Sequence, residues 1–198
     1  MSDEQVTEAA VDQEEKILLH VGSGPKNPRK VPPAYKKVPW REVRFDIDPS
    51  VSPHIIGDIR HMEGVEAGFA DALLSSHNLE HLFPHEVPLA LAEFYRVLKL
   101  GGHAMISCPD LQAVAAFIAE GNLDDPIYSS PAGPVTPIDI LYGFRPSLAR
   151  GNHFMAHRTG FTAKSLGEAL SKAGFGNVRV RRQGAPGFEL YAQAVKGV

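Results

Sequence analysis

Ile17-Leu18-Leu19-His20-Val21-Gly22-Ser23-Gly24 is a short apolar run that breaks on a pair of glycines. The run is too short for a helix and rich in branched residues, so it predicts a buried strand. Glycine tolerates tight turns and lets the main chain approach a ligand closely. Four more such runs follow: Val43-Arg44-Phe45 before Asp46, His54-Ile55-Ile56 before Gly57-Asp58, Phe69 to Ser75, and Ala104 to Cys108. Helical patterns alternate with them. Over Pro88 to Lys99, Leu91, Phe94, Tyr95 and Leu98 share one face, and Gly101-Gly102 is expected to stop the helix. Asp110 is placed to cap Leu111 to Glu120, and Thr162 to cap Ala163 to Ala173, with Phe161 and Leu166 as a hydrophobic staple. The alternation predicts an α/β, doubly wound, mostly parallel sheet. Val178 to Arg181 and Phe188 to Val195 are joined by Gln183 to Gly187, too short for a crossover helix. The sheet should therefore end in an antiparallel hairpin.

The bulk numbers fit one domain. The chain has 198 residues, 43% hydrophobic and 22% charged, with a net charge of −3. That charge argues against a dedicated nucleic-acid binder. The one cysteine, Cys108, allows no internal disulfide, which fits a reducing compartment such as the cytoplasm. No apolar run is long enough to span a bilayer, and the acidic N-terminus lacks the features of a secretory signal. Residues 1–15 read as a solvated acidic tail, disordered or a frayed helix, and residues 16–198 as one domain. Two segments break the βα alternation. Lys26 to Arg41 holds six basic residues, four prolines and no acid, where a first crossover helix would stand. Residues 121–160 form a proline-rich insertion, either a lid over a binding site or a surface excursion.

Asp46 lies twenty-two residues after Gly24, at a strand end. An acid there can accept hydrogen bonds from both ribose hydroxyls of an adenosine; the alternative for the glycine pair is a plain turn. No Gly-Lys-Ser/Thr follows, Asn27 replaces the third glycine of a dinucleotide fingerprint, and no helix opens after the loop to hold a pyrophosphate. An adenosine cofactor without phosphate is the better fit. Asp58 could accept the adenine amino proton, with Ile59 on the ring, or simply cap the next turn. Ser75-Ser76-His77-Asn78-Leu79-Glu80-His81 concentrates polar side chains where open α/β sheets bind ligands, beyond a strand's carboxyl end.

The ordered stretches HVGSGP (20–25), FDIDP (45–49), GDIRHM (57–62), DALLSSHNLEHL (71–82) and EFYRVLKLGGHAMISCPD (93–110) resemble the class I S-adenosylmethionine-dependent methyltransferase family. The resemblance is strongest over residues 16–110 and implies a Rossmann-like fold, S-adenosylmethionine as cofactor and methyl transfer as activity. It implies that Val21, Gly22, Ser23 and Gly24 line the methionine and ribose portion, Asp46 holds the ribose, Ile47 lies against the adenine, and Asp58 and Ile59 hold the adenine edge. Ser76 and His77 would lie near the sulfonium. The chain departs from the family pattern at His20, where an acid often stands, and in the proline-rich first crossover. His77, His81 and His157 are candidates for a general base, because a histidine titrates near neutrality. Tyr142, Phe144 and Phe154 could wall an acceptor or form the insertion's own core. A small-molecule acceptor is expected. Three other readings remain: a non-catalytic cofactor- or partner-binding module, an RNA methyltransferase using Lys26 to Arg41, and a zinc hydrolase built on His77-x-x-Glu80-His81.

Overall fold

The computed structural model describes residues 14–130, 132–182 and 188–197, so most of the acidic tail and the Gln183–Gly187 connection lie outside the described residues. Its elements run β1 (Lys16–Val21), β2 (Trp40–Asp46), β3 (Ile55–Ile56), β4 (Ala70–Ser76), α1 (Val87–Val97), β5 (Leu98–Pro109) and α2 (Leu111–Ala119). They continue with β6 (Tyr128–Ser130), β7 (Gly133–Val135), α3 (Pro137–Tyr142), α4 (Arg145–Ala149), α5 (Ala163–Lys172), β8 (Phe175–Arg182) and β9 (Glu189–Lys196). Seven strands form one sheet in the order β3-β2-β1-β4-β5-β9-β8. The first five are parallel, and β9 is antiparallel to both β5 and β8. This is the expected Rossmann-like α/β sheet closed by an antiparallel hairpin. The chain steps outward from β1 to β3 and returns to β4 on the other side of β1. That reversal opens a crevice beyond the strands' carboxyl ends.

One face of the sheet is covered by α1 and α5. Leu91, Phe94, Leu166 and Leu170 are fully buried there with Leu19, Val21, Leu73 and Ile106. Each large side chain so buried contributes roughly 1.5–3 kcal/mol relative to exposure. The caps read from sequence hold: Asp110 accepts from the N–H of Gln112, and Thr162 forms a capping box with Ser165. On the opposite face Leu18, Ala72 and Leu74 meet Val31, with Tyr35 and Trp40 packed alongside. The proline-rich segment thus covers this part of the sheet with a single 3-10 turn, Pro33–Tyr35, and Trp40 and Arg41 already belong to β2.

One expectation needs correction. Helix α1 ends at Val97 rather than Lys99, and Gly101-Gly102 does not stop it. Leu98 is extended (φ −75°, ψ 143°), fully buried and paired with Ala70, so strand pairing ends the helix. The ladder resumes at His103 opposite Ala72, and the residues between bulge outward with Gly101 at φ +76°. The 121–160 insertion, read as a lid or a surface excursion, carries secondary structure of its own. It folds into β6, β7, α3 and α4 around Val135, Ile140 and Val114, with Phe144 and Phe188 against them. Asp139 closes the Thr136 capping box and pairs with Arg145, and despite burial these bonds hold its carboxyl near a pKa of about 2. Among the described residues, no helix is long and apolar enough to cross a membrane.

Candidate functional site

A cleft of about 650 Å³ opens at the carboxyl ends of β1, β2 and β4 and runs under the 121–160 insertion. Its first half is built on the glycine turn. Gly22 adopts φ +58°, and a Cβ there would lie 2.5 Å from the Asn78 side chain, so the turn closes tightly on the end of β4. Asp46 is buried at the end of β2. Its Oδ2 accepts the Gly24 N–H at 2.7 Å and its Oδ1 the Asp48 N–H at 3.0 Å. Each carboxylate oxygen keeps acceptor capacity at the edge of the cleft. The turn continues into Pro25 and the irregular crossover, so no helix N-terminus stands ready for a pyrophosphate.

Two cations that sequence reasoning passed over hold this turn. The buried Arg44 guanidinium donates to the carbonyls of Gly24 (2.5 Å), Val51 (2.8 Å) and Ser52 (3.0 Å). Lys30 reaches in from the proline-rich segment and donates to the Ser23 carbonyl at 3.1 Å. Arg44 had a legible signal, because the residues on either side of it in β2 are core and the strand period turns it to the opposite face. Lys30 had none, since six similar charges crowd its segment.

The predicted cofactor residues divide. Gly22, Gly24, Asp46, Ile47, Asp58, Ile59, Ser76 and His77 border the cleft. Val21 is fully buried in the core, and the Ser23 side chain is buried against the Gly24 carbonyl. Asp58 accepts the Arg60 N–H at 2.9 Å and pairs with the Arg60 guanidinium, which also meets Glu86. It therefore performs the capping role weighed for it while facing the cleft. His20 is a buried residue of β1, its Nδ1 2.7 Å from Glu42.

The second half of the cleft holds the polar cluster. His77 adopts φ +50°, a region that few non-glycine residues occupy. Its Nδ1 lies 3.2 Å from Glu80 Oε1 and its Nε2 3.0 Å from Glu189 Oε1. Burial opposes its charge, but the bonds to Glu189 and Glu80 prevail and push its pKa up to about 10. Glu80 is 1% exposed, yet burial is outweighed by His77 and its carboxyl stays below the usual range. His77 and His81 do not share a helix: Leu79–His81 is a single 3-10 turn, and α1 starts only at Val87. The two-histidine helix that a zinc hydrolase of this motif needs is not formed.

His157, from the loop before α5, meets His81 edge to face at 4.9 Å between ring centroids. Nδ1 of His81 faces the Ala156 carbonyl at 3.2 Å, and Nδ1 of His157 the Ile140 carbonyl at 2.6 Å. A carbonyl can only accept, so in each ring Nδ1 carries a proton, and in the neutral ring Nε2 then holds the lone pair. Burial lowers the His157 pKa and favours the neutral ring. Phe144 and Phe154 line the cleft beside these groups; Tyr142 does not and is 63% exposed.

A methyltransferase domain family model matches residues 19–106. No curated protein matches the sequence. Among solved structures, the chain is similar to the 1,6-didemethyltoxoflavin-N1-methyltransferase of Burkholderia thailandensis, solved with 1,6-didemethyltoxoflavin and S-adenosylhomocysteine: 18% identity, 93% of this chain, 72% of that one, TM-score 0.58. It is also similar to a SAM-dependent methyltransferase from Archaeoglobus fulgidus, at 14% identity over 92% of this chain and 86% of that one, TM-score 0.60. A SAM-dependent methyltransferase from Methanosarcina mazei matches at 16% identity over 94% of each chain, TM-score 0.57.

Proposed function

We propose that the chain, whose residues 19–106 match a methyltransferase domain and whose fold is shared with S-adenosylmethionine-dependent methyltransferases, transfers the methyl of S-adenosylmethionine to a small-molecule acceptor. The observation that carries this reading is the Asp46 carboxylate, pinned by two main-chain N–H groups at the edge of the cleft. Two neighbouring oxygens with spare lone pairs suit the paired hydroxyls of a ribose. Gly22 and Gly24 border the same space, and exposed Ile47 offers a face for the adenine. S-adenosylmethionine, when bound, supplies an electrophilic methyl on a sulfonium.

The chain's own residues orient the acceptor and exclude water. The insertion walls the far half with Phe144 and Phe154, and Glu80, His81 and His157 give that wall a polar floor. His77, held as an imidazolium by two carboxylates, is a poor base. His81 and His157 turn their Nδ1 atoms to main-chain carbonyls and leave their Nε2 atoms as polar groups at the acceptor end. Residues 16–198 read as one domain, in which the insertion shapes the acceptor end.

Titration calorimetry tests the reading. S-adenosylmethionine and S-adenosylhomocysteine should bind at roughly micromolar strength, near 8 kcal/mol, and NAD should not. Absence of both would leave the fold without the cofactor.

A further inference from the structure

Glu80 and His81 leave the turn after β4, and His157 arrives from the loop before α5. One donor atom from each of the three lies within 4.8 Å of the other two. Oε1 of Glu80 faces His77, but among the described residues no hydrogen-bond donor reaches Oε2, although the side chain is 1% exposed. A carboxylate oxygen buried without a partner is costly. The two imidazoles beside it are oriented by main-chain carbonyls on Nδ1, so their Nε2 atoms are the free donors. That outer-shell arrangement is the one that fixes the tautomer of metal-ligating histidines. The backbone sets the spacing as well: Arg158 and Thr159 both donate their N–H groups to the Glu80 carbonyl, and His157 donates its own to Tyr142.

We propose that Glu80, His81 and His157 form a binding site for a divalent first-row transition ion. One carboxylate oxygen and two imidazole nitrogens suit zinc, cobalt or manganese better than magnesium or calcium, which prefer oxygen donors alone. Three protein ligands leave coordination positions open, and the site borders the cleft, so those positions are available to a small molecule. This set differs from the zinc motif read in the sequence, because His77 is turned to Glu189 and His157 takes its place. Metal binding stands on this geometry alone. Its consequence, an acceptor oxygen or nitrogen ligated by the ion beside the methyl donor, rests on the proposed function.

The test uses the full chain, stripped with a chelator and dialysed, and titrated with zinc alone by calorimetry and with cobalt alone by visible absorption. One equivalent should bind, with cobalt d–d bands typical of a low-coordinate nitrogen–oxygen site. His157→Ala and Glu80→Gln should each weaken binding by at least roughly tenfold, while the exposed His85→Ala should not. Binding that is unsaturable, or unchanged in both variants, overturns the proposal. Should the variants fail to fold, the histidine ring nitrogens of the natural chain decide it by NMR. Zinc should shift Nε2 of two histidines whose Nδ1 stays protonated, and no such pair of shifts overturns the proposal. Failure of S-adenosylmethionine to bind leaves these readouts untouched and bears only on the proposed function.

Discussion

The main-chain N–H of Arg158 donates to the carbonyl oxygen of Glu80 at 2.8 Å, and the next N–H, of Thr159, to the same oxygen at 3.2 Å. Two segments far apart in sequence are thereby locked where a buried carboxylate and two histidines converge. Main-chain bonds hold them, so the arrangement does not depend on what the side chains bind.

Asp46→Ala should weaken S-adenosylmethionine binding roughly 10- to 100-fold, the range for losing hydrogen bonds to a charged acceptor, while far-UV circular dichroism stays unchanged. Asp46→Asn, which keeps one oxygen acceptor, should lose less. A folded Asp46→Ala variant with full affinity would remove the ribose assignment.

His77 gives a pH-dependent stability. Its folded-state pKa, about 10, lies above the ordinary 6.5. The stabilisation is therefore complete below about pH 6.5 and lost as pH rises through 10. The ring is 40% exposed, so solvent screening reduces the effect to on the order of 1 kcal/mol. Urea unfolding of the natural chain and His77→Gln should differ most near pH 6 and converge toward pH 10. A constant gap would show that His77 acts through packing alone.

Gly22→Ala should destabilise the chain by roughly 1–3 kcal/mol, because the residue is left-handed and its Cβ would meet Asn78 at 2.5 Å. Removing the steric part with Asn78→Ala should recover some of that loss and leave the conformational part. A double-mutant cycle in thermal unfolding reads the coupling, which would be absent if the two residues did not touch.

Arg44→Leu should cost roughly 2–4 kcal/mol, since three main-chain carbonyls lose a charged donor. It should also weaken S-adenosylmethionine binding, because the Gly24 turn loses its clamp. Chemical denaturation and calorimetry together check this, and a loss of stability with full affinity would confine Arg44 to the fold.

Much of the fold is legible locally. Strands β1 to β5 announce themselves as short apolar runs closed by a turn or an acidic residue, and Asp110 and Thr162 cap the helices that follow them. What escaped depends on partners distant in sequence. Leu98 reads as helical until Ala70 pairs with it. Helices α3 and α4 span six and five residues, too few for an apolar period to show. Among the site residues, Asp46 stands out by its spacing from the glycines. The meeting of Glu80 with His157 is set by hydrogen bonds that no motif records.

The strand order has a consequence for how the molecule is assembled. Strand β9 inserts between β5 and β8, so β8 has no strand to pair with, and β5 keeps one open edge, until β9 arrives. Strands β1 to β4, with the glycine turn and Asp46, can pair among themselves beforehand. Glu189 sits at the start of β9 and supplies one of the two anions around His77. The nucleoside end of the cleft can therefore take shape early in a nascent chain, whereas the far end is complete only after a long-range closure, which is intrinsically slow.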